Sequence, residues 1–150
     1  MEVQFRPMAF TDIDVLVSMM EQFYAIDNYS IDIECSKNMF REFITHDYLG
    51  RGWLIMNDQV PVGYTIVTFY FSFEYKGRIA FLDELYISKR EQGKGFGQKA
   101  LDFLMKELKK LSLKLVYLEV EKHNEKAKKL YYKNGFSLHH REFMKRLITY

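Results

Sequence analysis

A chain of 150 residues, 48% hydrophobic and 28% charged, has the composition of one ordinary globular domain with a core of its own. Its net charge of +2 makes no case for nucleic acid, and the lysines of the second half read first as a solvated helix face, only second as a patch for phosphates. Cys35 is the only cysteine, so no intrachain disulfide can form, and neither a signal peptide nor a bilayer-spanning run is expected, which points to a reducing cytoplasm.

In chain order, Val3 to Phe5 reads as a short strand stopped by Arg6-Pro7. Thr11 looks like an N-cap, with Asp12 and Asp14 in the first turn and Val15, Leu16, Met19, Met20 and Phe23 as the apolar stripe of a first helix. A polar, acidic loop from Asp27 to Glu34 leads to a second helix, from about Ser36 to Thr45. Trp53 to Met56 and Val60 to Phe71 are strands joined by the turn signal Asn57-Asp58, and Pro61 and Gly63 mark an edge or a bulge.

Phe81 to Ile87 is a buried strand interrupted by Asp83 and Glu84. It runs into a glycine-rich turn, Gln92-Gly93-Lys94-Gly95-Phe96-Gly97, and then a helix with Ala100, Leu101, Leu104, Leu108 and Leu111 on one face. Leu115 to Val120 is a further strand, Asn124 caps a helix from Glu125 to Asn134 that Gly135 ends, and Leu138 to Ile148 reads as a last strand. No repeat or linker interrupts the chain, so residues 1–150 are expected to form a single domain. The fold class is α/β (α+β): a mixed, mostly antiparallel sheet of six to seven strands, with about four helices on its two faces.

Three glycines where a helix begins leave backbone N–H groups uncovered at the positive end of the dipole, an anion cradle most often used for phosphate. No Ser or Thr follows a Gly-Lys pair here, as a lysine P-loop needs, and the Gly-x-Gly-x-Gly spacing late in the chain departs from the dinucleotide fingerprint. The run from Gln92 through Gly95 to Gly97 does fit Gln/Arg-x-x-Gly-x-Gly. It resembles the pyrophosphate-binding signature of the GNAT superfamily of acyl-CoA-dependent N-acyltransferases. The bland reading beside it is a turn that merely links strand and helix tightly.

A second stretch, Asn124-Glu125-Lys126-Ala127-Lys128-Lys129-Leu130-Tyr131-Tyr132-Lys133-Asn134-Gly135-Phe136, looks like the same superfamily's Asn-x-x-Ala-x-x-Leu-Tyr-x-x-x-Gly-Phe. The resemblance spans nearly the whole chain. It implies acetyl-CoA as co-substrate, entering where the fourth and fifth strands splay apart. It implies that Gln92, Gly93, Lys94, Gly95, Phe96 and Gly97 hold the pyrophosphate, that Asn124 contacts CoA, and that a backbone N–H among Leu85, Tyr86 and Ile87 meets the tetrahedral oxyanion. It also implies that Tyr131 protonates the departing thiolate, although Tyr131 shares a helix face with Ala127 and Leu130 and has packing as its plain alternative.

An attacking amine with a pKa near ~10 must first lose a proton. Asp83 and Glu84 are the carboxylates at hand, and as neighbours on a strand they should face opposite ways, so at most one meets the acceptor. Asp83 falls where amine acetyltransferases of the spermidine/spermine type carry a catalytic Glu; Glu84 and a water chain remain alternatives. Asp27, Asp32 and Glu34, with Tyr24 and Tyr29 nearby, would hold a cationic amine by charge and cation–π contact, or form a solvated loop. His46, His123, His139 and His140 lack ligand spacing, and no metal is expected.

The reading is therefore an N-acetyltransferase moving acetyl to a primary amine by direct attack, with a small cationic amine favoured over a protein. A non-catalytic acyl-CoA-binding or sensing module and a nucleotide-binding α/β domain are its rivals. Neither nucleic acid nor membrane is an expected partner, and a homodimer is left open.

Overall fold

The computed structural model describes residues 2–150 and divides into two compact units, residues 1–119 and Val120–Tyr150. In the first unit five strands, β1 (Val3–Pro7), β2 (Gly50–Asn57), β3 (Val60–Ser72), β4 (Gly77–Ile87) and β5 (Val116–Leu118), form one sheet in chain order. β1 to β4 pair antiparallel, and β5 joins β4 in parallel. Helices α1 (Ile13–Ala25), α2 (Ile33–Thr45) and α3 (Phe96–Lys110) belong to the same unit.

Consecutive strand residues reach opposite faces, and the core divides accordingly. Leu54, Tyr64, Ile66 and Tyr86 pack with Leu16, Val17 and Met19 of α1 and Phe40 of α2. Ile55 and Val62 pack instead with Phe96 and Ala100 of α3, supported by Val3, Phe5, Leu85 and Ile87. On that second face the Phe5 and Phe103 rings stack at 4.3 Å, and Trp53 meets Phe103 edge-on.

Local chemistry explains where the helices begin. Asp12, not Thr11, organises the start of α1: its carboxylate accepts from the Ala9 N–H at 2.9 Å and from Arg6 at 2.6 Å, and a 3-10 turn over Phe10–Asp12 leads into the helix. α2 starts earlier than its stripe suggests because Asp32 is the cap, its Oδ1 accepting from the Cys35 N–H at 2.9 Å.

Two bulges re-aim the sheet. Between Ile55 and Met56 the partners step from Gly63 to Pro61, leaving Val62 as an extra residue. Pro61 and Gly63 therefore mark a bulge and no edge, since β3 lies between β2 and β4. The second bulge pairs Ile66 with Glu84 and Val67 with Leu82, so Asp83 is the inserted residue.

Among the described residues the expected six to seven strands are five, because the segment Leu138–Ile148 forms no strand. A strand exists through its partner's hydrogen bonds, and composition alone does not supply one. Leu138, Phe143, Met144, Leu147 and Ile148 are all exposed, and the adjacent apolar pairs Phe143-Met144 and Leu147-Ile148 give no alternating buried face. The second unit's regular element is α4 (Glu125–Lys133). Its Asn124 cap accepts from the Ala127 N–H at 3.1 Å, and it closes in a Schellman motif. There Gly135, at φ 87°, donates to Tyr132 O and Phe136 to Tyr131 O.

Candidate functional site

The bulge in β4 builds one wall of a cavity of about 680 Å³. α1 contributes Met20 and Tyr24, the segment before α2 contributes Ser30, Ile31 and Asp32, and α2 contributes Cys35, Ser36, Met39, Phe40, Glu42 and Phe43. The sheet contributes Ile66, Thr68, Phe69, Asp83 and Glu84, and Leu49 closes the set. Both carboxylates thus face the same space. The expectation that adjacent strand residues must diverge fails here because the inserted Asp83 breaks the pleat's alternation.

Glu84 is 9% exposed and accepts two short phenolic bonds, from Tyr24 at 2.6 Å and Tyr64 at 2.5 Å. Burial pushes its carboxyl above the ordinary glutamate value; the two hydroxyls pull it back, and the charge of Asp83 pushes it up again. Asp83 is likewise raised, by burial first and then by Glu119. Burial and Glu84 together raise both Tyr24 and Tyr64, so these phenols keep their protons and stay donors.

On the other side of β4, β5 pairs only Ala80, Phe81 and Leu82, so Asp83 to Ile87 lie beyond the β5 ladder. The Ser88 N–H donates to Val62 O on the β3 side. Alternation then turns the N–H groups of Leu85 and Ile87 away from β3 and that of Tyr86 towards it. Of the three expected oxyanion donors, only Leu85 and Ile87 turn away from the β3 ladder. The Ile87 carbonyl, on that same side, accepts from the Gln92 side chain at 3.1 Å, which ties the glycine turn to the end of β4.

The turn itself has the form of an anion cradle. Gly93 and Gly95 sit at φ 80° and 87°, and a Cβ at either would meet no atom within 4 Å. α3 makes its first helical bond from Lys99 N to Gly95 O, so the N–H groups of Phe96 and Gly97 precede the ladder. Lys94 holds Glu91 at 2.9 Å.

The remaining expected residues scatter. Asp27 and Tyr29 are exposed and do not line the cavity, whereas Asp32 lines it while capping α2. Glu34 pairs with Lys37 at 3.7 Å. Tyr131, in the second unit, meets Phe136 edge-on at 5.5 Å, and burial raises its hydroxyl above the usual tyrosine range. Tyr64 escaped the sequence reading: a strand tyrosine carries no local flag, and its partner lies twenty residues on. Among the described residues no group of three or more His, Cys, Asp or Glu side chains is placed to hold a metal, and no helix is long and apolar enough to cross a membrane.

A model of the GNAT acetyltransferase family matches residues 16–136. No curated protein matches the chain in sequence. An integron cassette protein from the mobile metagenome of Cole Harbour Salt Marsh is 27% identical, with TM-score 0.88 over 97% of this chain and 91% of its own. A predicted acetyltransferase from Clostridium acetobutylicum, solved with acetyl-CoA, has TM-score 0.80 at 18% identity over 97% and 96% of the two chains. An aminoglycoside N-acetyltransferase solved with CoA has TM-score 0.82 at 13% identity over 97% and 95%. At such identities the last two establish the fold alone.

Proposed function

Because this chain belongs to the GNAT family of acetyltransferases, we propose that it transfers acetyl from acetyl-CoA to a primary amine by direct attack, with residues 1–150 acting as one domain. The observation that carries this reading is a walled cavity lined by Asp83 and Glu84 on a strand that runs into a glycine turn with open space around Gly93 and Gly95.

Acetyl-CoA supplies an activated acyl thioester. The turn fits its pyrophosphate, because open space above Gly93 and Gly95 leaves backbone N–H groups accessible at the start of α3. Lys94 adds positive charge, and Asn124, whose Oδ1 caps α4, contacts the CoA arm, following the family pattern that it matches. Glu84 takes the proton from the acceptor ammonium. Its raised affinity for protons suits that role, and Tyr24 and Tyr64 fix its orientation. Asp83 shares the cavity and attracts the cation before deprotonation. The N–H of Leu85 or Ile87 stabilises the negative charge that develops on the acyl oxygen. Tyr131 returns a proton to the departing thiolate, following the family pattern that it matches.

The test is release of CoA thiol, followed with a chromogenic disulfide, from acetyl-CoA mixed with primary amines. Thiol release matched by acetylated amine is the expected result. Equal retention of acetyl-CoA and free CoA, with no release on any amine, would overturn catalysis in favour of a sensing module.

A further inference from the structure

Glu84 is buried, and both of its oxygens are engaged: Oε1 accepts from Tyr64 at 2.5 Å and Oε2 from Tyr24 at 2.6 Å. The two phenols are placed differently. Tyr64 is buried in the core, its ring 6.4 Å from that of Phe23 and 5.8 Å from that of Tyr86, and it is not part of the cavity's lining. Tyr24 is half-buried in the last turn of α1 and lines the cavity. Its carbonyl accepts from the Asp27 and Tyr29 N–H groups at 3.2 and 3.0 Å, so the turn after α1 holds the residue in place.

A phenol oxygen that donates one hydrogen bond keeps lone pairs to accept another. Burial and the Glu84 charge hold the Tyr24 proton at rest, so this phenol is no base by itself. It takes up a proton only by giving one away, and Glu84 Oε2, at 2.6 Å, is placed to receive it. Around these groups stand Asp83, which shares the cavity, Glu119 beside Asp83, and Tyr86 beside Tyr64. Of these, Asp83 is the rival base.

We infer that Tyr24 is a further catalytic residue, relaying the proton from the acceptor ammonium to Glu84. The inference rests on reading the cavity as the acceptor site and adds a step within it. The ammonium N–H bond breaks as its proton passes to Tyr24 Oη, and the Tyr24 O–H bond breaks as that proton passes to Glu84 Oε2. The amine is left neutral with its lone pair free to attack, the phenol is restored, and the carboxyl is protonated. After product leaves, Glu84 returns the proton to water by the same route.

The experiment follows thiol release from acetyl-CoA across pH for the unaltered chain, Tyr24→Phe, Tyr64→Phe and Asp83→Asn. The acceptor is the fastest among hexylamine, spermidine, kanamycin and a lysine-containing peptide. Each phenylalanine removes one donor from Glu84, so both variants should move the acid limb of kcat to higher pH. Only Tyr24→Phe also breaks the route. Its kcat above that limb should fall by about 100-fold, against less than about tenfold for Tyr64→Phe, with KM for acetyl-CoA unchanged. Cooperative melting of each variant excludes unfolding as the cause. Equal losses in the two variants would reduce Tyr24 to a positioning role and overturn the inference. Undiminished kcat in Tyr24→Phe would overturn it as well, by showing direct transfer to Glu84, and a larger loss of kcat in Asp83→Asn would move the base to Asp83. Absence of thiol release from every acceptor in the unaltered chain would sink the acetyltransferase reading and the relay together, an outcome distinct from the others.

Discussion

At the scale of single residues, Glu84 carries the most testable chemistry. Glu84→Gln keeps the shape and an acceptor for one phenol but removes the base, and kcat/KM should fall by about 100-fold or more. In the unaltered protein the rate should drop as pH falls through the raised value of Glu84, because only the carboxylate accepts a proton; the variant should lose that acid limb. Stability follows the same shift. A carboxyl raised in the fold adds stability that is full below the ordinary glutamate value and disappears as pH rises through the raised one. The melting temperature of Glu84→Gln relative to the parent should therefore climb across that window, and a constant difference would rule out the raised value. Tyr131→Phe should lower kcat by about tenfold or more while leaving CoA affinity unchanged, since its loss removes an acid and no binding charge. An unaltered rate would remove Tyr131 from the chemistry.

At the scale of elements, α2 walls the cavity and is pinned at its start by Asp32, whose carboxylate caps it at Cys35. Asp32→Ala should cost about 1 kcal/mol of stability, measured by urea denaturation, while Asp32→Asn restores it. The same change should raise KM for the amine and spare CoA affinity, because α2 supplies Met39, Phe40 and Phe43 to the acceptor side. Most elements were legible from periodicity and punctuation: Gly95 and Gly135 mark helix ends because only their left-handed backbone fits there. The first bulge was legible too, since Pro61 and Gly63 are out of place in a regular strand. The second, at Asp83, was not. A bulge belongs to the register of two strands, and an ordinary aspartate carries no mark of it. Hence both carboxylates reach one cavity that sequence spacing had divided between two faces. Tyr24, Tyr64 and Glu84 meet across 60 and 20 residues, a closeness that only the folded sheet creates. Leu138–Ile148 misled in the opposite direction, since its strand-like composition forms no strand.

At the scale of the whole molecule, ligand binding and stability are one equilibrium. Acetyl-CoA or CoA at about a hundred times its dissociation constant should add roughly 2.7 kcal/mol to unfolding, raising the melting temperature by roughly 5–10 °C for a chain of this size. NAD and ATP should leave it unchanged, because the turn's Gly-x-Gly-x-Gly spacing lacks both the dinucleotide fingerprint and the lysine P-loop. Gly95→Asp separates the cradle from the fold. Position 95 has φ 87° with open space around it, and aspartate enters the left-handed region more readily than most residues, so the variant should still melt cooperatively. Its carboxylate would stand where the pyrophosphate needs bare N–H groups, and the CoA-dependent shift should vanish. A variant that keeps the full shift would dissociate the glycine turn from CoA binding, and a shift with NAD or ATP in the parent would return the fold's ligand to the nucleotide class.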